Sequence, residues 1–365
     1  MSLLLPFMAA GVTSCGSDDE PAAPAPAPVQ PSPTPDTDDD TPSGGGAVTI
    51  PAFATGADVS WLTQLEAEGE RFYASSGKQM ECMQLLKEEC GVNAIRLRVW
   101  VNPADGWCNA ADLLVKARRA NALGLPVMVD FHFSDTWADP QAQTIPAAWG
   151  STLASVKAGM TAHITEVLTT LADEGISPAW VQVGNETCNG MLWPLGKLDV
   201  TGNSFAELVA HASATVRRLA PEAKIIVHTD QGDNPGRIDW VFGPLKAANV
   251  DYDIIGVSFY PELDWDKGWL DLTESQKVEQ LMANLNSARA TYGKDAMVVE
   301  FGMNCDRPAD TRAILADLLS RARAAGFIRG VFYWEPEAPA GYNGGYQKGA
   351  FASGRPTEAL APFRQ

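Results

Sequence analysis

Eight short runs of apolar and β-branched residues recur along this chain: ATGADVSW, NAIRLRVWV, LPVMVDFHF, AWVQVGNE, KIIVHTD, DIIGVSFYP, AMVVEFG and RGVFYWEP. Between most of them lie segments whose apolar residues repeat with helical spacing, such as DLLVKARRANALG, ASVKAGMTAHITEVLTTLADEG, FAELVAHASATVRRLAPEA and TRAILADLLSRARAAG. Several of these segments stop at a glycine before the next strand, at Gly91, Gly124, Gly175 and Gly326, as a left-handed helix stop requires. Strand and helix alternating eight times over roughly 300 residues is the size and pattern of an α/β chain closed into a single (β/α)8 TIM barrel. The competing arrangement is a doubly wound open sheet, but no GxGxxG follows the first strand.

In such a barrel the C-terminal strand ends carry the active site, because the loops there form a mouth above a packed core. Polar residues gather at those ends: Arg96 and Arg98 on the second strand, Asp130 and His132 on the third, Glu186 after the fourth, and His228 and Asp230 on the fifth. Tyr260 follows the sixth, Glu300 lies on the seventh and Trp334 ends the eighth. Side chains two apart on a strand share a face, so the pairs Arg96 with Arg98, Asp130 with His132, and His228 with Asp230 should each point into the lumen.

Two strand-end carboxylates suit glycosidic bond cleavage with retention. One protonated acid protonates the leaving oxygen, while an ionised one about 5 to 5.5 Å away attacks the anomeric carbon. Arg96 or Arg98 supplies a permanent positive charge that keeps the nucleophile ionised, and an apolar setting with a nearby negative charge keeps the acid protonated. Tyr260 can donate to the same carboxylate, and Asn185, just before Glu186, suits the sugar 2-hydroxyl. Each residue also has a plainer reading. A strand-end glutamate often makes a loop salt bridge, the arginines can pair with core carboxylates, and His132 and His228 can be structural hydrogen-bonders. Trp61, Trp100, Trp107, Trp137, Trp149, Trp193, Trp265 and Trp334 fall at strand ends or in the loops after them, where flat rings stack on sugar faces. About half are expected to face a groove, with Trp334 as the floor beneath the cleaved sugar.

Composition separates the N-terminal part from the rest. Residues 1–15, MSLLLPFMAAGVTSC, are apolar, and residues 16–48 form a run of Pro, Ala, Asp and Gly with almost nothing to bury. The expected organisation is a signal (1–15), a disordered linker (16–48) and a barrel (49–365). The opening resembles a lipoprotein signal with Cys15 as the lipidated residue; a cleaved secretory signal is the plainer alternative. The acidic SDDE after Cys15 resembles the export signal of Bacteroides-type lipoproteins, which implies the outer face of an outer membrane. A net charge of −18 argues against nucleic acid or anionic lipid as partner. Five further cysteines, Cys82, Cys90, Cys108, Cys188 and Cys305, show no metal-ligand spacing. Pairing of Cys82 with Cys90, or of Cys188 with Cys305, stays open at this level.

The blocks GADVSWLTQLEAEG, GVNAIRLRVWVNP, VDFHFSDTWADPQAQTIPAAW, WVQVGNETCNGMLWPLG and IIGVSFYP resemble those of glycoside hydrolase family 53, the endo-β-1,4-galactanases, and span nearly the whole folded unit. That resemblance implies that Glu186 is the acid/base and Glu300 the nucleophile. It also implies cleavage inside the β-1,4-galactan chains of type I arabinogalactan. By the same resemblance Asp130, His132, Ser134, Asp135, Trp137 and Asp139 shape sugar subsites; Asp58, Trp100, Trp193, His228, Asp230 and Trp334 join them as expected substrate-binding residues. Some bacterial members bind calcium in long loops after strands seven and eight. The loop GMNCDRPADTR is short, so no cofactor is expected. A monomer is expected. The rival readings are a related endo-glycanase, such as a β-mannanase or endoglucanase, and a surface glycan-binding lipoprotein without catalysis.

Overall fold

The computed structural model describes residues 48–262 and 272–365. The expected signal, all but the last residue of the expected linker, and Trp265 lie outside the described residues. Eight parallel strands close into a barrel: β1 (Ala54–Asp58), β2 (Ala94–Val99), β3 (Val127–Phe131), β4 (Trp180–Val183), β5 (Lys224–Thr229), β6 (Ile254–Phe259), β7 (Asp295–Phe301) and β8 (Ile328–Trp334). Each pairs with its sequence neighbours, and β1 pairs with β8 to complete the ring. The strands read as near-continuous apolar runs because both faces are covered. All residues of β2, β3 and β6 are buried.

Two apolar layers result. Ala54, Ala94, Met128, Trp180, Ile226, Ile254, Met297 and Phe332 cluster separately from the larger core. The larger core packs the outward strand faces against helices α1 (Leu62–Ala67), α2 (Cys82–Leu85), α3 (Ala110–Ala122), α4 (Leu153–Asp173), α5 (Phe205–Leu219), α6 (Arg237–Ala247), α7 (Glu274–Tyr292) and α8 (Pro308–Ala325). α4 shows how sequence makes such an element. Thr152 and Ser155 form a reciprocal cap at its start, and Val156, Met160, Ile164, Val167 and Leu171 form its buried stripe. Burying one such side chain stabilises by about 1.5–3 kcal/mol. Gly56 has no room for a side chain, since a Cβ there would meet the Phe332 ring at 2.1 Å. The glycines at the four expected helix stops, Gly91, Gly124, Gly175 and Gly326, all adopt positive φ.

The structure corrects the cysteine options, for all five described cysteines are free. Cys82 opens α2 and Cys90 closes the π turn that continues it. Eight residues of helix rise roughly 12 Å, twice the Cα spacing a disulfide tolerates. Cys188 follows Glu186, to whose carbonyl its N–H donates at 2.7 Å, while Cys305 donates its N–H to Gln347. Trp149 is also not a groove residue. It is 8% exposed and packs on Phe133 and His163, with Gly159 leaving room for its ring. Among the described residues no helix is long and apolar enough to cross a membrane.

Candidate active site

At the C-terminal mouth the four non-glycine residues Phe133, Glu186, Gln231 and Glu335 have positive φ, each within three residues of the end of β3, β4, β5 or β8. Left-handed backbone costs a non-glycine residue about 1–3 kcal/mol, and such positions cluster where a site needs a side chain re-aimed. Two of the four are glutamates.

Arg96 is the hub of the lower tier. Its guanidinium is 1% exposed and pairs with Asp58 at 2.7 Å, Asp130 at 2.9 Å and Glu300 at 3.0 Å. It also donates to Asn185 Oδ1 at 3.0 Å and to Gln182 Oε1 at 3.2 Å. Gln182 extends the network through its amide to Asp130 at 2.5 Å, and His132 Nε2 closes on the same aspartate at 3.1 Å. One cation thus holds three buried carboxylates in register, a cluster that satisfies nearly every polar atom it contains.

Glu300 lies in β7, 5% exposed, with Tyr260 Oη donating to it at 2.8 Å. Burial pushes its carboxyl up to about 7, against the opposing pull of Arg96 and the Tyr260 hydrogen bond. Glu186 has neither partner. Burial first, then the charges of Glu300 and Asp230, raise it well above the carboxylate range. Its one strong donor is Ser258 Oγ at 2.6 Å. Ser258 stands opposite Glu300 in the β6–β7 ladder just after a register shift, and its hydroxyl is spent on Glu186. Behind it, His228 Nδ1 accepts the Glu186 N–H at 3.2 Å, which leaves Nε2 as the protonated nitrogen facing Ser258 Oγ at 2.9 Å. Burial holds His228 well below the usual imidazole range, with Arg96 and His132 acting in the same direction. The imidazole is therefore neutral. The environments favour the anion at Glu300 over that at Glu186.

The upper tier is built on Arg98. Its guanidinium lies 5.1 Å from the Trp61 ring, 5.3 Å from Trp100 and 4.5 Å from Trp137, and it is ion-paired to Glu335. Trp334 joins the group, tilted against Trp61 at 5.2 Å and edge-on to Trp137 at 6.0 Å.

Residues 54–313 match the model of Glycosyl hydrolase family 53. The chain belongs to that family. A probable arabinogalactan endo-beta-1,4-galactanase A of Aspergillus fumigatus is 35% identical over 306 residues, covering 77% of this chain and 83% of that protein. The arabinogalactan endo-beta-1,4-galactanase of Humicola insolens is 35% identical, with 77% and 88% covered. Among solved structures, a fungal beta-1,4-galactanase superposes with a TM-score of 0.75 at 32% identity, covering 85% of this chain and 98% of that one. The family 53 catalytic domain of Ignisphaera aggregans also reaches 0.75, at 25% identity, with 88% and 97% covered.

Within this family 53 barrel the residues singled out from sequence separate into three groups. Glu186, Glu300, Asn185, Tyr260 and Arg96 meet in one network. Asp58, Asp130, His132 and His228 belong to it too, but their polar atoms are engaged by protein. Asp58 holds Arg96 and Ser60, and His132 Nδ1 accepts from Trp100 Nε1 and the Ala138 N–H, both at 3.2 Å. These four are held in the network behind the two glutamates. Of the two arginines Arg96 stands beside Glu300, while Arg98 pairs with Glu335 inside an aromatic cage. Asp230 is likewise engaged, paired to Arg237 at 3.1 Å and bonded by Gln231.

Ser134 is buried, and the half-buried Asp135 staples its loop by accepting the N–H groups of Asn102 and Ala147. Asp139 caps a turn by accepting the Gln141 and Ala142 N–H groups. Trp137, Trp193 and Trp334 keep part of their rings open, whereas Trp61 and Trp100 are 3% and 7% exposed. Gln182, Ser258, Gln143 and Glu335 were missed. Gln182 and Ser258 each interrupt an otherwise apolar strand, the one signal that marks them. Among the described residues no group of three or more His, Cys, Asp or Glu is arranged to hold a metal ion.

Proposed function

We propose that this protein is a retaining endo-β-1,4-galactanase in which Glu300 is the nucleophile and Glu186 the acid/base. The observation that carries the roles is the unequal environment of the two carboxylates. Glu300 is held by a buried arginine and a tyrosine hydroxyl, both of which favour its anion, while Glu186 hangs on a neutral Ser258–His228 chain and keeps the proton. In the first half-reaction Glu300 attacks the anomeric carbon as the glycosidic bond breaks, and Glu186 gives its proton to the departing oxygen. In the second, the Glu186 carboxylate takes a proton from water, which attacks the same carbon and releases Glu300. Asn185 is fixed by Arg96 on its oxygen and by Ala138 O on its nitrogen, and its remaining N–H serves the sugar 2-hydroxyl. The chemistry needs no cofactor or metal.

The choice of β-1,4-galactan follows the galactanase relatives, and the half-open indoles Trp137 and Trp334 give the sugar chain a stacking surface. We place the enzyme outside the cell, tethered to the outer membrane through lipid on Cys15 and acting as a monomer. There it would cut a polymer too large to import. Replacement of Cys15 by Ser should move the enzyme from the membrane fraction to the soluble one.

The deciding experiment is a product time course on linear β-1,4-galactan, galactomannan and carboxymethyl cellulose, with the first product's anomer read by NMR. Mid-sized β-configured galacto-oligosaccharides, with the other polymers intact, are expected. Binding of galactan without cleavage, or α products, would overturn the reading.

A further inference from the structure

Glu335 takes no part in the chemistry above, yet the mouth of the barrel is tied together through it. It follows directly after β8 with φ +43°, and it is fully buried. Its carboxylate accepts the Trp61 N–H at 3.2 and 3.1 Å and pairs with Arg98, while its own N–H donates to Asp58 O at 2.9 Å. One residue therefore joins the ends of β8, β1 and β2. Next to it Tyr346 Oη donates to Trp334 O at 2.6 Å, which fixes the backbone under that indole.

Arg98 depends on this anchor. Among the described residues its Nε and Nη2 have no hydrogen-bond partner, and the indole faces and Glu335 hold the guanidinium in place. Neighbouring Glu337 is buried beside Glu335. Burial, then the charge of Glu335, raises Glu337 well above the carboxylate range, which disfavours a second anion beside Arg98. Trp61, Trp100 and Trp137 come from the loops after β1, β2 and β3 and converge on this one ion pair, and Trp334 at the end of β8 packs on Trp61 and Trp137. No two of them are neighbours in the chain.

We propose that Glu335 is a positioning residue that, acting through Arg98, sets the geometry of the four-indole wall and thereby the affinity for the sugar chain. The barrier to bond cleavage stays with Glu186 and Glu300. The proposal rests on the reading that a β-1,4-linked galactan chain is seated along Trp137 and Trp334.

Its test is Glu335→Gln, which keeps the shape and an acceptor for Trp61 but removes the charge facing Arg98. Expected are a rise in KM for β-1,4-galacto-oligosaccharides of about tenfold, a kcat within about twofold, and an altered near-ultraviolet circular dichroism band from the coupled indoles. Arg98→Lys, which keeps the charge but loses the planar stack, should show the same pattern more weakly, and it carries the test where Glu335→Gln is not recovered folded. An unchanged KM, a loss in kcat at constant KM, or a raised KM with an unaltered indole band would each overturn the proposal. A wild type that leaves galactan uncut would sink the substrate reading instead, and the indole band would still judge the positioning role.

Discussion

Arg96 and Arg98 sit two residues apart on one strand, fully buried, side by side in the same lumen, yet the barrel uses them in different ways. Arg96 is surrounded by carboxylates and amides, so its charge is passed on as an electrostatic field at Glu300. Arg98 is surrounded by indole faces with one carboxylate, so its charge organises shape. A buried cation can thus tune a neighbour's proton affinity or stack a wall, depending on what its neighbouring strands place around it.

The largest expected effects lie at the end of the lower tier. Glu300→Gln and Glu186→Gln should each lower kcat about 10³-fold or more, with the far-ultraviolet spectrum unchanged. Arg96→Met comes next and would test the electrostatic role directly. It leaves Asp58 and Asp130 buried without their cation, so denaturant unfolding should show a loss of about 3–5 kcal/mol. An equal loss for Arg98→Met, without one in kcat for Arg96→Met, would break the contrast between the tiers.

The pH profile follows from the environments. Glu300 must be ionised, and its carboxyl is pushed up to about 7, so kcat/KM should fall as pH drops through that value. Glu186 must be protonated, so an alkaline limb follows at higher pH. Tyr260→Phe removes a hydrogen bond that favours the Glu300 anion and should move the acid limb upward, by about one unit or less. Stability runs the opposite way to the acid limb. A glutamate whose folded pKa is raised binds more protons folded than unfolded, so the stability it contributes at acid pH is lost as pH rises from the unfolded value through about 7. Glu300 and Glu335 both act in that window. Thermal melts across it should show the decline, reduced in Glu335→Gln.

The smallest effect is expected at Ser258, the donor to Glu186. Ser258→Ala removes the donor that lowers the Glu186 pKa, so the alkaline limb should move upward while kcat changes about threefold. A larger loss would mean that Ser258 relays a proton.

The eight strands, the glycine stops and the polar strand ends were legible because burial on both faces and helical spacing leave a periodic trace that needs no partner to interpret. Glu186 and Glu300 were visible as carboxylates at strand ends. Gln182 and Ser258 were passed over because a single polar residue in an apolar strand is equally consistent with a core hydrogen bond. Glu335 was hidden for another reason: its role depends on Arg98 and Trp61, which lie 237 and 274 positions away.

The sequence by itself determined that the chain alternates strand and helix, that its carboxylates, arginines and indoles would be delivered to one mouth, and that its family would be that of the blocks it carries. Only the tertiary structure decided which arginine faces Glu300, which carboxylate is paired with a cation and which is not, and that Asp58, Asp130 and the two histidines are engaged by protein. The reason is physical. Strand parity fixes the face on which a side chain emerges, whereas its partners and its desolvation are set by neighbouring strands whose stagger around the closed barrel is not written in local sequence.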